Sequence, residues 1–270
     1  MTNWKRVFID DFPQADDVDR SKWESPHWMS GNNPAYIPRT GFRNPTDFEG
    51  EIGLIPCTSE NGADLRLSTY NPKAEPPGSA FLGSVIHTVE KWGGNGETVK
   101  FEARVKSPKM PGGAVTSVFS YALCSGPPEK PVQNEIDFEF ASNHWEGPPP
   151  TQFLTNVFVC SRDAGSGPQY IDTGDDLKDW HIFSLIYSPA TTNPSFDGSV
   201  EWLVDGASVR KEFNNIPDWK ASGGMALYMN FWAPASDWGW AFNGSLNPVD
   251  TGPGDTWDYY VKNAAVYYGT

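Results

Sequence analysis

The sequence predicts a single all-β domain of the sandwich, jelly-roll or barrel kind, and three observations carry that reading. Glycine and proline are dense, 26 and 24 among 270 residues, and both break helices. Short segments with apolar residues at every second position recur along the chain, the period of a strand with one buried face. Turn-forming clusters separate these segments, with no βαβ rhythm and no internal repeat. No linker divides the chain, so residues 1–270 are read as one domain.

Among the strands, Asp64–Ser68, Val99–Lys106, Ile182–Tyr187 and Val200–Asp205 all alternate cleanly. The breaks include Asn44-Pro45-Thr46-Asp47, Asn61-Gly62, Gly93-Gly94-Asn95-Gly96, Asp197-Gly198, Asp205-Gly206 and Ser222-Gly223-Gly224. Val204-Asp205-Gly206-Ala207 reads as a tight hairpin, with Asp-Gly supplying the positive φ angles. Short helical turns are expected only near Leu177–Trp180 and Pro217–Lys220. The proline-rich pieces at 75–78, 126–128 and 147–150 read as surface loops that shape the rim of a cleft.

Charge and cysteine usage narrow the partners. Acidic residues number 34 against 20 basic, a net charge of −14, so nucleic acid and an anionic membrane surface would be repelled. No apolar stretch approaches the ~18 residues of a membrane span. Cys57, Cys124 and Cys160 are odd in number and lack CxxC spacing, so buried thiols are expected in place of a zinc site or disulfide framework. The N-terminus, MTNWKRVFIDDF, has no apolar signal core. As written the chain is cytoplasmic, or it is a mature domain whose leader has been trimmed.

Chemistry concentrates in Gln133-Asn134-Glu135-Ile136-Asp137-Phe138-Glu139-Phe140. As a strand, Ile136, Phe138 and Phe140 face a core while Glu135, Asp137 and Glu139 face the other way. Three like charges at alternating positions repel one another, and no lysine or arginine stands among them. That pattern does not suit a solvated outer face. Nor does it suit calcium, which prefers ligands wrapped around it from a loop. It suits a general acid and a nucleophile. The Glu135 and Glu139 backbones would be ~13 Å apart at ~3.3 Å per residue. Side chains leaning inward could bring the carboxyls to ~5–5.5 Å, the spacing of a double-displacement glycosidase; ~6.5–9.5 Å would leave room for a water and give inversion. Asp137 between them can hydrogen-bond one glutamate and split the two pKa values.

This segment resembles the signature of glycoside hydrolase family 16, in the E-x-D-x-E form of lichenases and xyloglucan transglycosylases. The likeness extends in order along the chain: Phe8–Phe12 with Ser21–Trp23, Lys100–Lys106, Thr116–Tyr121, Thr155–Phe158, Trp180–Phe183, Trp202–Gly206 and Met229–Trp232. It implies a jelly-roll sandwich of two curved antiparallel sheets with a concave substrate cleft. It also implies roles: Glu135 as nucleophile, Glu139 as acid and then base, and Asp137 assisting the nucleophile. Phe119, Tyr121, Asn156, Phe158, Asn230 and Trp232 match cleft positions. Gln133, a further substrate-binding position by this likeness, stands where lichenases often carry an aromatic. Gly83–Thr88 lacks the Glu-x-Arg pair of lichenases, and His87 is read as a structural histidine there, as is His181.

Sugar rings stack on aromatics and their hydroxyls suit Asn side chains. Trp238 and Trp240, in Asp237-Trp238-Gly239-Trp240, read as further stacking platforms. The Ser142–Gln152 loop, with His144 and Trp145, reads as a rim element. The family likeness further implies secretion. It leaves open a structural calcium, with Asp258 in Trp257-Asp258-Tyr259 as side-chain ligand. No cofactor is expected for catalysis, and the chain is expected to be monomeric.

The expectation is therefore a retaining endo-glycosidase acting on a polysaccharide, foremost a β-1,3- or β-1,3-1,4-glucan. A transglycosylase, a galactan hydrolase or a lectin-like binding protein on the same scaffold are the alternatives.

Overall fold

Alternation dominates the architecture. The computed structural model describes residues 2–25, 39–42, 57–71, 81–106, 110–125, 132–144, 151–159, 162–163, 166–189, 198–213, 216 and 223–270. The turn expected at 44–47, the proline-rich loops, the helical turn at 217–220, Trp145 and Cys160 lie outside these residues.

In chain order the strands are β1 (Trp4–Asp10), β2 (Trp23–Glu24), β3 (Thr40–Phe42), β4 (Cys57–Ser59), β5 (Gly62–Ser68), β6 (Phe81–Thr88), β7 (Val99–Lys106), β8 (Val115–Ser125), β9 (Val132–Ala141), β10 (Gln152–Val159), β11 (Arg162–Asp163), β12 (Gln169–Asp172), β13 (His181–Ser188), β14 (Ser199–Val204), β15 (Ala207–Glu212), β16 (Ala226–Trp232) and β17 (Thr256–Gly269). A 3-10 turn, Ser142–His144, follows β9. The helical turn expected near Leu177–Trp180 is an irregular turn, and no α-helix occurs among the described residues.

The strands make two layers of a jelly-roll sandwich. The back layer runs β15-β14-β13-β7-β17, and β17 then pairs with β5 through Thr256–Val261 and with β1 through Ala264–Gly269. The front layer runs β12-β10-β9-β8-β16-β6-β2. The layers join where β5 meets β6 at Ser68 and Leu82. A bulge between Val261 and Asn263 lets β17 serve both partners: Tyr259 and Val261 face the core before it, Ala264 and Val266 after it.

Between the layers lies a large apolar core. Phe101, Ala103 and Val105 of β7, Phe183, Leu185 and Tyr187 of β13, and Val200, Trp202 and Val204 of β14 enter it from behind. Val118, Ile136, Phe138, Phe140, Leu227, Met229 and Phe231 enter from the front. A second, smaller cluster sits on the opposite face of the front layer and includes Val85, Val115, Phe119, Tyr228 and Trp232. The front layer is therefore covered on both faces, unlike a sheet with one solvated side.

The β14–β15 hairpin turns as its sequence predicts, with φ of 50° at Asp205 and 82° at Gly206. Asp205 also locks the neighbouring strand, accepting from the Ile182 amide at 2.8 Å and meeting His181 Nδ1 at 2.7 Å, while His181 Nε2 meets the Asp176 carbonyl oxygen at 2.9 Å. Both ring nitrogens thus face acceptors, which is satisfied best by the doubly protonated ring. Burial opposes that charge, but the bonds to Asp205 and Asp176 outweigh it, and the His181 pKa is raised. His181 is structural, as its strand pattern suggested.

The linkage has a definite sign. With the folded pKa above the unfolded one, the stabilisation is complete below about pH 6.5 and fades as pH rises through the folded value. His181→Gln is expected to remove that neutral-to-alkaline part of the decline in stability, as read by thermal unfolding across roughly pH 5 to 9.

Candidate active site

β9 is central in the front layer, hydrogen-bonded to β8 on one side and β10 on the other. Its alternation divides as the sequence predicts. Ile136, Phe138 and Phe140 are buried between the layers, where Phe183 meets Phe138 at 5.1 Å and Phe140 at 4.7 Å between centroids. Glu135, Asp137 and Glu139 point to the opposite face.

Register assembles three rows across that face. Glu135 lies between Tyr121 and Phe158, with Ala226 beyond Tyr121. Asp137 lies between Phe119 and Asn156, and the row continues through Tyr228 and His87 to Glu24. Glu139 lies between Ser117 and Leu154, with Asn230 beyond Ser117. Sequence reasoning placed Phe119, Tyr121, Asn156, Phe158 and Asn230 in the cleft, and the register brings all five to the carboxylates. Phe119 belongs to this outer cluster, not to the core between the layers. Trp232 shares the face one row further on, opposite Val115.

The face is a walled trough. Glu135 is 8 % exposed, Asp137 3 %, Asn156 3 % and Asn230 fully buried, whereas Glu139 is partly exposed. One wall is the segment after β16, tied down by Arg39 through the Leu246 carbonyl at 2.8 Å and by Asn143 through the Phe242 carbonyl at 2.7 Å. This segment carries Trp238 and Trp240, which pack against the outer cluster.

Burial makes the glutamates electrically unequal. Desolvation raises the Glu135 pKa to about 7, against hydrogen bonds from Gln133 and Asp137 that favour its charged form. Desolvation, and then the charge of Glu135, raise Glu139 to about 8. The hydrogen bonds aimed at Glu135 favour the charge there, and that charge favours the proton on Glu139. A hydrogen bond between two carboxyl groups requires one proton; carried by Asp137, it stabilises the Glu135 anion. Gln133 acts on the carboxylate itself, its Nε2 lying 3.4 Å from Glu135 Oε2.

Tyr228, Ser117, Trp202 and Arg210 escaped the sequence reading as contributors to the site, and His87, read there as a structural histidine, lies among them. Tyr228 lies on the trough floor, 5.0 Å from Phe119 and 5.4 Å from Tyr121 between centroids. Its place two residues before Asn230 was a usable signal. Ser117 is 2 % exposed beside Glu139, and its Oγ has no hydrogen-bond partner among the described residues. His87 stacks on Tyr228 at 4.4 Å, with Nδ1 3.0 Å from the Thr88 carbonyl oxygen, and burial lowers its pKa. Trp202 is fully buried beneath β9 and donates from Nε1 to the Asp137 carbonyl at 2.9 Å. Arg210 covers the Trp202 ring at 4.6 Å and donates to the Thr155 carbonyl at 2.8 Å, tying β15 to β10.

Asp258 stands away from this trough, on β17. Arg66 donates to both its carboxylate oxygens, at 2.5 and 2.9 Å. The described residues contain no group of three His, Cys, Asp or Glu side chains placed to hold a metal. An Asp258 carboxylate held by a guanidinium does not suit a calcium ligand.

Two outcomes follow from this arrangement. Glu135→Gln removes the charge beside Glu139 and lowers the Glu139 pKa, which carbon-13 NMR of labelled glutamates would follow. Trp202→Phe keeps most of the buried ring but removes the indole donor, with an expected loss of about 2 kcal/mol in denaturant unfolding.

Comparison with known proteins agrees with this architecture. No curated protein sequence matches the chain. A lichenase from a mouse hindgut metagenome superposes with a TM-score of 0.64 at 21% identity, covering 97% of each chain. The Bacillus licheniformis β-glucanase gives 0.62 at 19%, again over 97% of each. The catalytic domain of an endo-1,3-β-glucanase from Thermotoga petrophila gives 0.69 at 15%, over 100% of each. At such identities these likenesses concern the fold. The model of glycosyl hydrolases family 16 matches residues 57–247, a span that holds the whole carboxylate strand and β16, which lies beyond β8 in the same layer, and the chain belongs to that family.

Proposed function

We propose that the protein is a retaining, endo-acting hydrolase of internal β-linkages in a polysaccharide, foremost a β-1,3- or β-1,3-1,4-glucan. The observation that carries this reading is the row of Glu135, Asp137 and Glu139 on one face of β9, where Gln133 and Asp137 direct hydrogen bonds at Glu135 and the charge of Glu135 opposes a second charge on Glu139. Family membership supports the reaction class. The lichenase and laminarinases among the similar folds favour a glucan over a galactan.

The chemistry divides between the two carboxyls. Ionised Glu135 attacks the anomeric carbon while Glu139 gives its proton to the departing glycosidic oxygen, leaving a sugar esterified to Glu135. Glu139, now ionised, takes a proton from water, whose oxygen attacks the same carbon and releases Glu135. Two inversions retain the anomer. Asp137 and Gln133 stabilise the Glu135 carboxylate as attacking and as leaving group. Trp202 acts one step removed, by holding the backbone of Asp137 from below. If a sugar hydroxyl takes water's place in the second step the outcome is transglycosylation, and the trough residues are the same. A lectin would have no use for a second glutamate of raised pKa on the same face.

The reading is tested with a panel of β-glucans and galactans, sizing products by chromatography. Endo action gives a ladder of intermediate oligosaccharides from a β-glucan; monosaccharide alone, or binding without release of reducing ends, contradicts it. Glu135→Gln and Glu139→Gln should each lower kcat at least about a thousandfold while thermal unfolding stays cooperative. The activity of the parent should fall at low pH as Glu135 takes a proton and at high pH as Glu139 loses one. With an aryl glycoside whose leaving group needs no proton, Glu139→Gln should abolish the alkaline limb alone.

A further inference from the structure

Aromatic rings continue beyond the trough in a direction the carboxylate chemistry does not use. Trp232 and Trp238 stack at 5.7 Å and 23°, Trp238 and Trp240 follow at 5.7 Å, and Trp240 meets Tyr170 at 4.9 Å. The first ring is 4 % exposed, at the end of β16. The last is 54 % exposed, on β12 at the edge of the front layer. Register fixes where it points: Tyr170 pairs with Leu154, and Leu154 with Glu139, so Tyr170 shares the carboxylate face two strands from Glu139. Phe119, Tyr228 and His87 occupy the other side of β9.

We propose that Tyr170, held in place by Trp240, is a sugar-stacking subsite at the β12 edge, and that it takes a pyranose ring of the β-glucan chain beyond those bound at the β9 carboxylates. The proposal rests on the function given above. Trp240 covers one side of Tyr170 and leaves more than half of the residue in water. A tyrosine ring has few degrees of freedom to lose, and packing against a second ring removes part of that cost before ligand arrives. The apolar face of a pyranose matches the exposed face of such a ring, and the phenol can bond a sugar hydroxyl. A substrate chain crossing β9 along the rows of the trough reaches the β12 edge once it is long enough. Short oligosaccharides do not.

Length dependence is therefore the test, read by binding so that it is independent of turnover. Laminaritriose, laminarihexaose and a mixed-linkage hexasaccharide are titrated calorimetrically into Glu135→Gln protein with and without Tyr170→Ala, Tyr170→Phe or Trp240→Ala. Tyr170→Ala and Trp240→Ala are expected to weaken the better-bound hexasaccharide about tenfold, a difference of about 1.4 kcal/mol, and the triose less than about twofold. Tyr170→Phe keeps most of the affinity. The proposal is overturned if Tyr170→Ala leaves both hexasaccharides unchanged, if it weakens triose and hexaose equally together with a fall in Tm, as a mere brace for the wall would, or if neither hexasaccharide binds. Should the parent bind but never cleave, the hydrolase reading fails while the subsite stands or falls on these affinities.

Discussion

Crowding three carboxyl groups onto one face of one strand, in a trough that excludes most water, is the constraint from which the rest follows. Like charges at alternate positions on β9 cannot all be carried cheaply where solvent is scarce. The site settles this by unequal protonation. Asp137 and Gln133 direct hydrogen bonds at Glu135, so the first charge forms there; that charge then holds a proton on Glu139. In the proposed mechanism, acid and nucleophile are thus defined by environment and not by residue type, since both are glutamates.

Such a strand has to be held from both sides. Beneath it, Phe138 and Phe140 interlock with Phe153 and Phe183. The Trp202 indole crosses the core to bond the backbone midway between the two glutamates, and Arg210 joins its ring to β10. The part of the sandwich remote from the trough therefore sets the positions of the carboxyl groups, which the proposed chemistry needs placed to within a fraction of an ångström. Above the strand, burial on the trough face takes solvation from both glutamates and raises their pKa values.

Much of this was legible in the chain. The all-β class follows from turn density and alternation, and the division of β9 into an acidic and an aromatic face follows from period two alone. The Asp205-Gly206 hairpin follows from turn chemistry. Other features depend on strand pairing, which a single sequence does not display. Tyr228 reaches the trough floor because β16 lies beside β8, and Tyr170 reaches Trp240 because β12 lies on the far side of β10. Trp202 alternates like any core residue, and nothing local says that its nitrogen meets a carbonyl of β9. Asp258 matched a family position for a metal ligand, yet its cross-strand neighbour on β5 is Arg66, and the pair neutralise each other.

The central claim is that Glu135 becomes covalently attached to sugar. The most direct measurement is to inactivate the protein with a 2-deoxy-2-fluoro glycoside of a β-glucan oligosaccharide bearing a good leaving group, then locate the adduct by peptide mass spectrometry. Attachment to Glu135 is the predicted result, with one sugar per chain. Attachment to Glu139, or a polysaccharide product of inverted configuration with no adduct on either glutamate, would contradict the account.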